Sequence, residues 1–233
     1  MLNPRTIKTT FMLISTLMIF NGCTKKLTKI NFKDISLNSN KMNSLIINSI
    51  SSKEESQFYE YNIRIPKLII EGKEKGNLEE LNNEINEYVS QIVARLDIVS
   101  KELKPENKKF SLKINYEIYH GHNIYTIILI ATQEINDSPI TNYRSYYIQD
   151  KGNYIHNIDD IIKTDEAFPF FIKKIKEKIL PNELLFDLQQ AVIYFENKKI
   201  IIKFPEYTVK LDDTEEQPNI FEFNESEIAQ FVK

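Results

Sequence analysis

The chain reads as an α+β fold: an antiparallel β-sheet packed by a long amphipathic helix and a second helix, in a single domain. Three observations predict it. Residues 77–103 place Leu78, Leu81, Ile85, Tyr88, Val89, Ile92, Leu96, Val99 and Leu103 at helical spacing, with charges on the other face. Residues 110–119 and 124–135 are strand-like runs separated by His120, Gly121, His122 and Asn123, the pattern of a hairpin. A helix with one long apolar stripe needs a sheet to lie against, and the hairpin supplies it.

The elements follow in order. Residues 11–20, FMLISTLMIF, form a short apolar run behind Arg5 and Lys8 and ahead of Asn21, Gly22 and Cys23, the only cysteine of the 233 residues. Basic, then apolar, then small is the order of an export signal. A permanent membrane helix needs about 20 apolar residues, so this run is too short to be one. Glycine before a lone cysteine is similar to the lipobox of bacterial lipoproteins, in which the cysteine is acylated and becomes the first residue. The expected division is therefore a signal peptide over 1–22, a lipidated Cys23 with a flexible tether over 23–56, and a folded domain over 57–233. The tether assignment rests on the Lys, Asn and Ser content of that stretch.

Residues 58–70 alternate Tyr59, Tyr61, Ile63 and Ile65 with Glu60, Asn62 and Arg64, a half-buried strand that Pro66 ends or holds at an edge. Asn77 and Glu80 fit a capping box for the long helix, and Pro105 stops it. Residues 136–142 read as a loop around Pro139, and 143–149 as a strand. Residues 164–180 form the second helix, with Phe168, Phe171, Ile172, Ile175 and Ile179 on one face. Residues 191–196 and 199–204 make a second hairpin. An extended stretch over 207–211, an acidic loop over 212–219, a strand over 220–223 and a terminal helix started by Asn224 and Glu227 complete the chain.

Composition narrows function. The formal charge is −3, and losing Arg5 and Lys8 with the signal leaves about −5, which gives nucleic acid no general attraction. One cysteine permits no internal disulfide, so stability rests on apolar burial, for which 14 Phe and 12 Tyr provide material. The histidines are His120, His122 and His156. The first pair would share a face of a strand, and Asp159 or Asp160 near His156 would complete a metal site for a peptidoglycan hydrolase or deacetylase. Against that, HGHN falls where a turn is expected, and no HExxH spacing exists. No G-x-S-x-G or phosphate-binding loop is present among 5 glycines. The carboxylate pairs Asp159–Asp160, Asp212–Asp213 and Glu215–Glu216 are adjacent in sequence, as in caps and solvated loops, rather than set across a cleft. Tyr143, Tyr146, Tyr147 and Tyr154 offer either stacking surface or sheet packing.

The order of elements, with YNIRIPKL before a helix containing LNNEINEYV and, later, IIIKFPEYTVKL and IFEFNESEI, resembles the extracellular domain family of RsiV, a lysozyme-sensing anti-sigma factor. A similar domain precedes the catalytic domain of some peptidoglycan deacetylases. The resemblance covers roughly residues 58–233. Where family members often carry a glycine-glycine-alanine-histidine segment, this chain has Ser138, Pro139, Ile140 and Thr141. The resemblance implies a non-catalytic envelope module that binds a partner, without a cofactor, and the Gly22–Cys23 signal implies that an N-terminal lipid holds it outside the cytoplasm. Its partner would be a protein such as lysozyme, or peptidoglycan. The other readings are the metal-dependent enzyme above and a structural envelope lipoprotein.

Overall fold

The structure is a computed structural model. It describes residues 30–34, 40–42, 45–70, 77–105, 108–135, 138–178, 188, 191–205 and 219–233. Cys23 and the acidic residues 212–216 lie outside them. The strands are β1 (Lys33–Asp34), β2 (Asn40–Met42), β3 (Leu45–Glu55), β4 (Tyr59–Ile70), β5 (Phe110–Gly121), β6 (Ile124–Ile135), β7 (Ser138–Gln149), β8 (Tyr154–Ile155), β9 (Val192–Glu196), β10 (Lys199–Lys203) and β11 (Ile220–Phe223). The helices are α1 (Leu78–Leu103), α2 (Thr164–Lys178) and α3 (Glu225–Ile228). None of the described helices is long and apolar enough to cross a membrane.

The composition is α+β, but with two sheets. The larger has eight strands in the order β1-β3-β4-β5-β6-β7-β8, with β2 also on β3; the smaller is β11-β10-β9. On one face of the large sheet, Ile63, Ile114, Ile127, Leu129 and Ile148 pack against Leu81, Ile85, Val89 and Leu96 of α1. On the other face, around Ile128, the small sheet lands with Val192, Tyr194 and Ile201. Behind it, Phe195, Ile200, Phe221 and Phe223 meet Phe171 and Ile175 of α2 in a second core. The Tyr147 hydroxyl donates to the Ile193 carbonyl at 2.8 Å and stitches the sheets together.

Four expectations are corrected. The stretch assigned to the tether contains β3, paired with β4 over its whole length, and Leu45 and Ile47 are 1% exposed. Two of its serines, Ser49 and Ser52, obscure the alternation because they are buried, and Ser49 Oγ meets Tyr116 Oη at 2.5 Å. The sheet is not wholly antiparallel. β4 and β5 run parallel because α1 carries the chain back across the sheet between them. The loop around Pro139 is strand, since β7 begins at Ser138; proline is tolerated because β8 pairs only with Tyr147 and Ile148, leaving the rest of β7 at an edge. Asn77 makes no side-chain cap on α1. Its amide instead exchanges hydrogen bonds with the backbone of Tyr154, accepting from the N–H at 2.5 Å and donating to the carbonyl at 3.2 Å.

A local feature explains how α1 is seated. Inward residues of β4 are Tyr59, Tyr61, Ile63 and Ile65, then Pro66 and Leu68, so the buried phase changes at Pro66 while the register with β3 stays unbroken. Parallel pairing with β5 extends only as far as Ile63–Ile114. Beyond it, the twisting ribbon leaves Leu68 without a strand on that side. The Asn82 side chain takes the place of one, accepting from the Leu68 N–H and donating to its carbonyl, both at 2.9 Å.

Candidate functional site

The three histidines go to three places. β5 and β6 meet in a two-residue turn, where His122 (φ 51°) and Asn123 (φ 60°) take the left-handed values of a tight hairpin. His120, just before it, stacks on Tyr125 with ring centroids 4.3 Å apart, and its Nε2 lies 2.7 Å from Asp150 Oδ1. His122 turns the opposite way and meets Phe195 of the small sheet edge-on at 6.0 Å. His156 sits beyond β8, with Nε2 3.8 Å from Glu80 Oε2 of α1. Among the described residues no group of three or more His, Cys, Asp or Glu is placed to hold a metal ion. Asp159 accepts from the Asn157 side chain and from Thr164 Oγ1, as a local turn does.

The tyrosine set divides as well. Tyr146, Tyr147 and Tyr154 are buried, while Tyr143 is half-buried beneath Lys203, whose Nζ is 5.1 Å from the ring centre. Tyr146 and Tyr154 belong to a polar cluster between α1 and the β7–β8 edge. Glu84 of α1 accepts from Arg144 Nη2 at 2.6 Å through one oxygen and from the Tyr154 hydroxyl at 2.6 Å through the other. The Arg144 guanidinium lies 4.7 Å from the centre of the Tyr88 ring and 5.3 Å from that of Tyr146. A single charge-assisted bond to Glu84 is thus combined with cation–π contact to two rings.

Electrostatics follow from that packing. Burial opposes the charge on Arg144, but Tyr146 and Glu84 outweigh it, and the group is held above its ordinary range. Burial and the bond to Glu84 push Tyr154 well above the usual phenol range, and burial does the same for Tyr146. The Tyr154 hydroxyl is a fixed donor to Glu84, that of Tyr146 is buried without a hydrogen-bond partner, and neither is a proton shuttle near neutrality. The arrangement holds a shape and a charge pattern.

What it presents outward is acidic. Glu79, Glu80 and Glu87 are exposed on the first half of α1, beside Glu84, with His156 and Tyr88 at the border. No cation lies within residues 77–94. No local pattern marks Arg144 or Glu84, because they meet across 60 residues of chain. One signal was available. The chain uses four arginines among 30 cations, so an arginine at a given position carries more information than a lysine. The chain matches no protein-family model and no curated protein.

Proposed function

We propose that this chain is a bacterial envelope lipoprotein, acylated at Cys23 after loss of residues 1–22, whose folded part is a non-catalytic binding module of the RsiV-like kind. The ligand is a basic protein of the lysozyme type, or cell-wall glycan. The observation that carries the reading is the carboxylate face of α1, set beside an arginine–tyrosine cluster. Opposite charge speeds and orients encounter, and Arg144, half-exposed beside that face, is a side-chain type that often anchors an interface.

Titration of the purified protein with lysozyme, at low and high salt, tests the reading. Binding is expected to weaken with salt. The combined Glu79→Gln, Glu80→Gln and Glu87→Gln variant is expected to lose roughly tenfold in affinity, mostly in the association rate. Retention of neither lysozyme nor peptidoglycan fragments, or an affinity untouched by the three substitutions, would sink it.

A further inference from the structure

The opposite face of the large sheet has the opposite charge. Ladder register aligns Lys33, Ser51 and Arg64 in one row across β1, β3 and β4, and Lys53, Asn62 and Lys113 in the next across β3, β4 and β5. Paired residues share a face, and these lie on the side away from α1, because their strand neighbours Ile63 and Ile114 pack toward it. Lys33, Lys53, Arg64 and Lys113 are all exposed. The adjoining row carries Glu55 and Glu60, and Glu55 is already held by Lys109 at 2.5 Å. A groove of about 560 Å³ runs over this region, lined by Lys53, Glu55, Glu60, Asn62, Ser111 and Lys113.

Chain length gives this face a location. Ile30 and Phe32 already pack against the α1 core, and β1 joins the sheet edge at Lys33. Only residues 24–29 separate Cys23 from that packed segment. Fully extended, seven residue steps reach roughly 25 Å, less than the roughly 30 Å width of the sheet from β1 to β8. A tether running to residue 56 would have reached several times further. Charge agrees with position. Residues 23–53 carry six lysines against the single acid Asp34, whereas residues 54–233 carry 22 cations against 32 carboxylates.

We propose that the β1–β3–β4–β5 face rests on anionic lipid headgroups, so that the domain stands on the membrane by this edge and turns the carboxylate face of α1 outward. The inference rests on acylation of Cys23. Anionic headgroups attract basic groups beside an anchor within about a Debye length of the surface, and a second attachment of this kind steadies a lipid-anchored protein.

The test uses the acylated full-length protein in vesicles of phosphatidylcholine and phosphatidylglycerol carrying a headgroup-attached quencher. With Cys23 acylated, a thiol introduced by Asn62→Cys or by Lys151→Cys, in the exposed turn between β7 and β8, is the only reactive one, and each variant takes a fluorophore. Quenching at position 62 is expected to exceed that at 151 about threefold, since three to four strand spacings, roughly 17 Å, separate β4 from the β7–β8 turn. The difference is expected to collapse in the Lys33→Glu, Lys53→Glu, Lys113→Glu variant and in pure phosphatidylcholine. Equal quenching at both positions overturns the proposal. A difference indifferent to lipid charge and to the three substitutions also overturns it, because the short leash alone would then set the orientation. Mass spectrometry of the Cys23 peptide separates either result from failure of the anchor itself: an unmodified sulfur removes both this proposal and the one before it.

Discussion

A methyl group at Gly121 would stand 2.6 Å from the Asn197 carbonyl oxygen and 2.8 Å from two backbone nitrogens of the β9–β10 turn. The contact is backbone against backbone. Gly121 bridges Asn197, the His122 N–H donates to the Asn197 carbonyl at 3.2 Å, and the Asn197 N–H donates to the His120 carbonyl at 2.8 Å. Two hairpin tips, one from each sheet, are thus clipped together where a side chain has no room. Gly121→Ala is expected to destabilise the fold by about 2 kcal/mol, the scale of forced overpacking, seen as a lower denaturant midpoint at unchanged slope. Full stability in that variant would mean the tips are free to part. The same clip explains the histidines. His120 and His122 flank a residue selected for closeness, and their rings leave in opposite directions, one to Tyr125 and one to Phe195.

At the scale of elements, α1 is fixed to the sheet by more than its apolar stripe. Asn82 completes the backbone of Leu68 where β4 departs from β5, and Asn77 does likewise for Tyr154 of β8. Asn82→Ala would leave both Leu68 backbone groups without that partner, a loss of about 1–3 kcal/mol. Amide exchange at Leu68 should accelerate while the centre of β6 stays protected. No change at Leu68 would show that water serves the same groups equally well. These details mark the limit of what the residues disclose locally. The α1 stripe and the β5–β6 pair were legible because each has a period and a stop signal. β3 was not, because Asn48, Ser49, Ser51 and Ser52 interrupt its apolar alternation and only the partner strand shows that two of the serines are buried. The start of β7 was hidden by Pro139, whose meaning depends on whether the strand has a neighbour. Parallel pairing of β4 with β5 has no local signature. Of the polar cluster, Tyr146 and Tyr154 were named from pattern, but Glu84 and Arg144 acquire their role only when distant segments meet.

The whole molecule is a polarised slab. One side of the large sheet carries α1 with its carboxylates, and the edge nearest the amino end carries four exposed cations on the reverse. The small sheet is placed off centre, over β6, β7 and the Glu117–Gly121 end of β5, which leaves the reverse of β3, β4 and the start of β5 uncovered by it. The proposed binding of a basic ligand and the proposed contact with an anionic surface would therefore use opposite sides and need not compete. That arrangement ties the two proposed measurements together: salt should loosen both contacts, while each set of charge substitutions should affect only its own.

The pairing of β3 with β4 also decides where the self-sufficient body starts. A fragment cut at residue 57 would uncover the eleven residues of β4 that pair with β3, Glu60 to Ile70, with the hydrogen-bonding groups on that side unmet and Ile63 and Ile65 next to the cut edge, an open template for another copy. Sedimentation of such a truncation should find oligomers or precipitate, where a version begun at residue 30 stays monomeric. Equal monodispersity of the two would demote Leu45–Glu55 from a structural strand to a removable flap.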